Sequence, residues 1–312
     1  MLKYKEDIRT ILFVGCYFAI ATLTWVALPM KWYFAAPLIF LNCLISFFCA
    51  TIVHNTIHCP IFKNRSVNKI FQVILSFTYG HPVSAYVPGH NFSHHKYTQS
   101  EKDNIRTSKA RFKWNFLNQL LFFYIMSIDI LKAEMRFTKK MKKEKPRWYR
   151  QYMIENILLN VVKITLLIID WRLFLLVVVI PHQYAAWGIV GTNYWQHEGC
   201  DENHKYNHSR NFTGKWLNFF AFNNGYHGMH HLRPGLHWSL YPKYHAKYIT
   251  PFIHPNLNRK TLVAYCWQAY IWPGRRVDYL GNPAVLKPKQ KDQDWVADVP
   301  ISEHVTSLGA IR

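Results

Sequence analysis

The stretch "FAAPLIFLNCLISFFCATIVHNTIHCP", residues 34–60, decides the fold class. From Phe34 to Val53 no residue carries a charge. At about 1.5 Å per residue, a helix of that length spans most of a hydrocarbon core roughly 30 Å thick. The helical pattern continues past the lipid boundary, where His54 and His58 stand four apart and so share one face, and Pro60 ends it. A membrane span that delivers two imidazoles to the surface is the unit from which the rest of the chain is read.

Working outward, Ile11 to Leu28 is also free of charge, and "PMKW" at 29–32 breaks the chain before it returns through residues 34–53. These two segments form a first hairpin. A second follows: Ile154 to Ile169, the turn "DWR", then Leu173 to about Trp195, with Lys163 placed to face protein or to snorkel. Its returning helix ends in "NYWQH", where Asn193 and His197 are again four apart.

Between the hairpins, Lys69 to Val87 starts apolar but is interrupted by Gly80, Pro82 and, just beyond, Pro88, which reads as a re-entrant or interfacial segment. Phe112 to Phe137 mixes aromatics with charges at helical spacing, as a helix lying on the membrane does. The expected fold is therefore an all-α integral membrane protein, with four transmembrane helices in two hairpins and a cytoplasmic helical cap. Its parts are residues 1–60 (first hairpin), 61–150 (re-entrant segment and amphipathic helix), 151–196 (second hairpin) and 197–312 (cap and Pro- and Lys-rich tail).

Orientation follows from basic residues. Lys3, Lys5 and Arg9, with nine Lys and Arg between Lys132 and Arg150, face one Lys and one Arg in the two short opposite turns, which places both termini in the cytoplasm. A net charge of +21 is then a basic surface against anionic lipid, rather than a nucleic-acid footprint. The six cysteines form no CxxC pair, and the first apolar stretch is too long for a cleavable signal peptide.

The histidines are grouped. Besides His54 and His58, "GHNFSHH" brings His90, His94 and His95, and "HGMHH" brings His227, His230 and His231 at i, i+3, i+4, one helical face. His81, His182, His204, His208, His237, His245, His254 and His304 stand outside the pattern and read as ordinary caps and hydrogen-bonding residues. Nine neutral imidazoles in one place are costly without a cation to share their lone pairs, and too many for one tetrahedral ion, so two ions are the economical answer. Imidazole suits iron, copper, nickel and zinc alike. The Glu-rich helices of soluble di-iron bundles are absent; near the boxes only Glu198, Asp201 and Glu202 offer carboxylates that could orient imidazole N–H groups. His237, just beyond the last box, reads as a further brace.

With these motifs in hand, residues 35–245 resemble the membrane-bound fatty acid desaturases and hydroxylases, which carry three histidine boxes on the cytoplasmic side of a four-helix membrane domain. "HNTIH" is similar to the first box, "HNFSHH" to the second, "HGMHH" to the third and "NYWQH" to the additional NxxxH of desaturases. The resemblance implies two Fe²⁺ ions held by His54, His58, His90, His94, His95, His197, His227, His230 and His231, with Asn193 acting through water. It also implies an acyl substrate (lipid, acyl-CoA or acyl carrier protein) and a separate electron donor such as ferredoxin, rubredoxin or cytochrome b5.

One departure stands out: the second box is HxxxHH rather than HxxHH. That spacing and "NYWQHEG" are closer to alkane and xylene monooxygenases, whereas "HHKYTQ" is similar to desaturases. On a regular helix His90, His94 and His95 span a wider arc than i, i+3, i+4 would, so either His90 is the least well placed of the ligands or the helix is locally distorted there. Desaturation is the expected activity, with hydroxylation as the alternative. A metal transporter would carry its ligands at mid-membrane, and a zinc hydrolase would need fewer histidines and a general-base carboxylate.

Overall fold

The computed structural model describes residues 1–28, 31–286 and 288–299; the expected break at Pro29 and Met30 and the ordinary histidine His304 lie outside the described residues. The principal helices, in chain order, are α1 (Asp7–Ala27), α2 (Trp32–His58), α3 (Arg65–Tyr79), α4 (Val83–Val87), α5 (Asn115–Glu144), α6 (Pro146–Ile169), α7 (Trp171–His197), α8 (Lys215–Phe220), α9 (His227–Leu232) and α10 (Tyr241–Tyr248). A two-residue strand β1 (Asn211–Phe212) pairs in parallel with β2 (Asn258–Arg259).

Among the described residues, α1, α2, α5, α6 and α7 are long and apolar enough to cross a bilayer. Four of them are the expected spans. The fifth, α5, has the lowest mean hydropathy of the set, 1.3 against 1.8 to 2.2 for the others, because Asp129, Lys132, Glu134 and Arg136 recur along it. Length and composition admit it as a span, whereas the charge spacing had suggested a surface helix.

The chain forms two compact units. The first comprises Met1–Val87 and Thr138–Ile189. Its helix α6 leaves Ile154, Ile157, Leu158, Val161, Val162, Ile164, Leu167, Ile168 and Ile169 exposed. A continuous apolar helix face of this kind belongs in lipid, where a helix meets all its backbone hydrogen bonds internally; the protein is an integral membrane protein.

The polar side chains of this unit are turned inward and paired. Lys163 Nζ donates to the carbonyl of Gly80 at 2.7 Å, so it faces protein. The buried carboxylate of Glu155 accepts from the Ser84 N–H at 2.8 Å, the Ser84 hydroxyl at 3.0 Å and Gln151 Nε2 at 2.9 Å. Asn42 Nδ2 donates at 2.8 Å to the carbonyl of Val177, inside the π-helical turn Leu175–Val179 of α7. The expected re-entrant or interfacial segment forms the amphipathic α3, followed by the short α4. Asn64 caps α3 by accepting from the Ser66 and Val67 N–H groups, and Gly80, at φ +80°, ends it.

The second unit comprises Pro88–Phe137 and, among the described residues, 190–299. Its core joins Ala110, Phe122, Met126, Tyr194, Phe212, Tyr265, Ala269 and Tyr270. The buried hydroxyls are satisfied: Tyr194 donates to Asn115 Oδ1 at 2.7 Å and Tyr270 to Gln119 Oε1 at 3.0 Å.

Candidate metal centre

Seven of the nine expected histidine ligands lie in the second unit, and their rings converge as two groups. The second box does not form a regular α-helix. Pro88–His94 is π-helical and His95–Tyr97 resumes the α form. A π-turn closes hydrogen bonds five residues apart, so residues at i+4 and i+5 flank one direction. The extra residue of HxxxHH is thereby absorbed, and His90 comes round to His95 with their Nε2 atoms 3.1 Å apart. The third box is regular: α9 presents His227, His230 and His231 at α-helical spacing.

In the first group His95 Nε2 lies 2.8 Å from His230 Nε2 and 3.1 Å from His90 Nε2. In the second, His227 Nε2 lies 2.9 Å from His197 Nε2 and 3.1 Å from His231 Nε2. His94 completes it, its ring centroid 4.8 Å from His197 and 4.9 Å from His231. The ligand atoms within each group all lie within 4.8 Å of one another. His95 and His231, 4.4 Å apart between centroids, set the two groups side by side.

The outward nitrogens determine what the inward ones are. His197 Nδ1 meets the backbone carbonyl of His208 at 2.9 Å; a carbonyl only accepts, so the proton is on Nδ1 and Nε2 presents a lone pair. His94 Nδ1 lies 2.9 Å from Asp103 Oδ2, with both side chains fully buried. Its Nε2 is buried with no hydrogen-bond partner among the described residues. His230 Nδ1 meets the Tyr241 hydroxyl at 3.1 Å. Burial, and after it the neighbouring His95, His227, His94 and His197, hold His231 well below the ordinary imidazole pKa, so its ring is neutral near pH 7.

Neutral imidazoles with their lone pairs turned toward each other at about 3 Å repel unless a cation lies between them. The donor set, all imidazole, with the outward Nδ1 atoms of His94, His197 and His230 held from outside, therefore fits a metal. The two groups can bind metal ions.

His54 and His58 belong to the first unit. Their ring centroids are 5.6 Å apart on α2, and His54 Nδ1 lies 3.2 Å from Asn55 Oδ1. Asn193 donates through Nδ2 to the carbonyl of Ile105 at 2.8 Å. The expected braces engage other partners. Glu198 receives two hydrogen bonds from Arg276, the one from Nη2 at 2.7 Å. Asp201 Oδ1 accepts from the Asn203 N–H at 3.1 Å, and His237 Nδ1 meets the Ser239 hydroxyl at 2.8 Å.

Sequence reading passed over three residues that hold ligands in place: Asp103, Tyr241 and the carbonyl of His208. Asp103 had a faint signal, as an acid nine residues after His94 in a chain poor in acids. A backbone carbonyl has none. His208, read as ordinary, also sets its ring 5.2 Å from that of His231. Of the other outlying histidines, His204 Nδ1 accepts from the Tyr206 and Asn207 N–H groups and His254 Nδ1 from that of Asn256, as expected of caps.

A family model described as Fatty acid desaturase matches residues 9–259. The chain belongs to this family. It is accordingly an oxidoreductase of the desaturase and hydroxylase type, and all nine histidines named above fall within the matched residues. No individual curated protein matches the chain. Relative to the HxxHH of most desaturases, the second box of this family member carries one additional residue, and the π-turn at Pro88–His94 is where that residue is accommodated.

Proposed function

We propose that this chain is a membrane-bound fatty acyl desaturase working with two Fe²⁺ ions, O₂ and an external electron donor. His90, His95 and His230 serve one ion, and His94, His197, His227 and His231 the other. His54 and His58 complete the ligand set on the strength of the box motif, and Asn193 acts through water. The observation that carries this reading is the convergence of seven imidazoles, three of which, His94, His230 and His197, have their outward nitrogens occupied by Asp103, Tyr241 and a carbonyl.

When bound, the irons supply O₂ reduction and removal of hydrogen from an unactivated methylene. The protein's part is positional. Asp103 and the carbonyl of His208 hold the protons of His94 and His197 on Nδ1 and leave the lone pairs aimed inward. Exposed apolar side chains on the spans let an acyl tail approach from lipid. The basic cytoplasmic surface favours an acidic donor protein, with both termini and the site on that side of the membrane.

For desaturation, a saturated CH₂–CH₂ unit, O₂, two electrons and two protons give an alkene and two waters. The hydroxylase alternative rests on HxxxHH and "NYWQHEG", and it leaves one oxygen atom on carbon. Turnover of a saturated acyl substrate under ¹⁸O₂ separates them. An alkene free of label is expected. A labelled alcohol as the main product would overturn the desaturase reading and leave the hydroxylase one.

A further inference from the structure

The family match ends at residue 259, yet the chain returns to the second histidine box beyond it. Residues 290–299 lie along the loop that follows His94 and His95. Asp292 pairs with Arg106 and with Lys109 Nζ, the latter at 2.5 Å. The Gln290 carbonyl accepts from Arg106 Nη2 at 3.0 Å, the Gln293 N–H donates to the Glu101 carbonyl at 3.0 Å, and Asp298 bonds Lys102 and the Tyr97 hydroxyl. Arg106 is itself buried, so its pair with Asp292 is shielded from solvent on one side.

That loop is wrapped around Asp103. The fully buried carboxylate accepts from the Gln99 N–H at 2.8 Å, the Ile105 N–H at 2.9 Å and His94 Nδ1 at 2.9 Å. A second route is apolar. Trp295, wholly buried, lies 6.0 Å between centroids from Phe137, which stacks at 5.7 Å on Phe92. Phe92 sits inside the π-turn, between His90 and His94.

We propose that residues 290–299 form a strap that fixes the second-box ligands, with Asp292 acting through Arg106, Lys109 and the Asp103 loop, and Trp295 through Phe137 and Phe92. Both are positioning residues, since neither touches a ligand. The physical reason for such a strap lies in the π-turn, which lacks the regular i→i+4 ladder that keeps α9 straight and so benefits from external support. The inference rests on the metal-centre reading of the preceding subsection.

The test is cobalt(II) binding to the full-length, detergent-solubilised protein, followed by ligand-field absorption and by competition with a chelator. Wild type and Val285→Ala, an exposed tail residue, should bind two ions alike. Asp292→Asn and Trp295→Ala should each weaken one ion by about tenfold and alter its absorption band. Asp103→Asn should weaken the same ion at least as much, and Trp295→Phe should restore most of the loss. If wild type binds no cobalt, the metal-centre reading falls. If wild type binds two ions and Asp292→Asn and Trp295→Ala match it in affinity and spectrum while Asp103→Asn does not, the strap is overturned and the centre stands. Should Trp295→Ala fail to fold, Asp292→Asn decides alone, its spectrum and affinity being altered or not.

Discussion

An imidazole that binds a metal through one nitrogen must commit the other, and the two proposed ligands His94 and His197 do so differently. His94 faces a buried carboxylate, Asp103, while His197 faces a neutral carbonyl. A carboxylate makes the ring a stronger donor to a cation than a carbonyl does, so the second group combines unequal ligands. Outside that set, burial is the largest influence on two further imidazoles. His208 and His245 are both pushed down to about 4, with desolvation the largest cause in each. In the unfolded chain an imidazole titrates near pH 6.5. Between about pH 6.5 and 4 the unfolded state therefore binds more protons than the folded one, and stability must fall as pH drops through that window. Each such group contributes at most about 1.4 kcal/mol per pH unit. Thermal melting of metal-free protein should thus occur at a lower temperature at about pH 5 than at about pH 7.5, and His245→Gln should shrink that difference. An unchanged difference in the variant would mean that His245 is protonated in the folded protein.

At the scale of elements, the second box carries the most information. HxxxHH on an α-helix spreads its three rings over a wider arc than i, i+3, i+4 and turns His95 away from His90, whereas a π-turn brings His95 round toward His90. The rings bear this out in the approach of His90 Nε2 to His95 Nε2 at 3.1 Å. If the turn exists to recruit His90, His90→Ala should cost activity as heavily as His95→Ala, on the order of a hundredfold or more, as loss of a metal ligand does. Turnover assays of the two variants at equal expression decide this, and near-normal turnover by the His90 variant alone would remove it from the ligand set. The spacing showed that something had to give at this box. It could not show what, because the choice between a distorted helix and an idle histidine depends on partners, Phe137 and His230, that lie far away in sequence. The third box was legible in full, since i, i+3, i+4 needs only an ordinary helix, and α9 is one.

For the molecule as a whole, what could be read in advance was what depends on composition over a long window. The apolar runs of α1, α2, α6 and α7 are continuous, and the bilayer requirement of about 20 residues is insensitive to detail. The charged stretch of α5 is where that reading stays open, because length and composition admit a span while Asp129 and Lys132 suit a surface helix, and a charge is admissible in a membrane only where it finds a partner, as Asp129 does in Lys109 Nζ at 2.7 Å. The strap was illegible for the same reason: Asp292 and Trp295 look like tail residues until Arg106 and Phe137 are brought to them. Membrane orientation, in contrast, depends on basic residues counted over flanks, and it yields a direct prediction. With nine Lys and Arg between Lys132 and Arg150 against Lys31 and Arg172 in the short turns, the turns should lie outside and the basic stretch inside. A single cysteine introduced at Arg172 in a variant lacking the native ones should react with a membrane-impermeant maleimide added to intact cells. One introduced at Lys143 should react only after the membrane is opened. The reverse pattern would invert the topology and place the histidine groups on the far side from cytoplasmic electron donors, which the proposed chemistry could not survive.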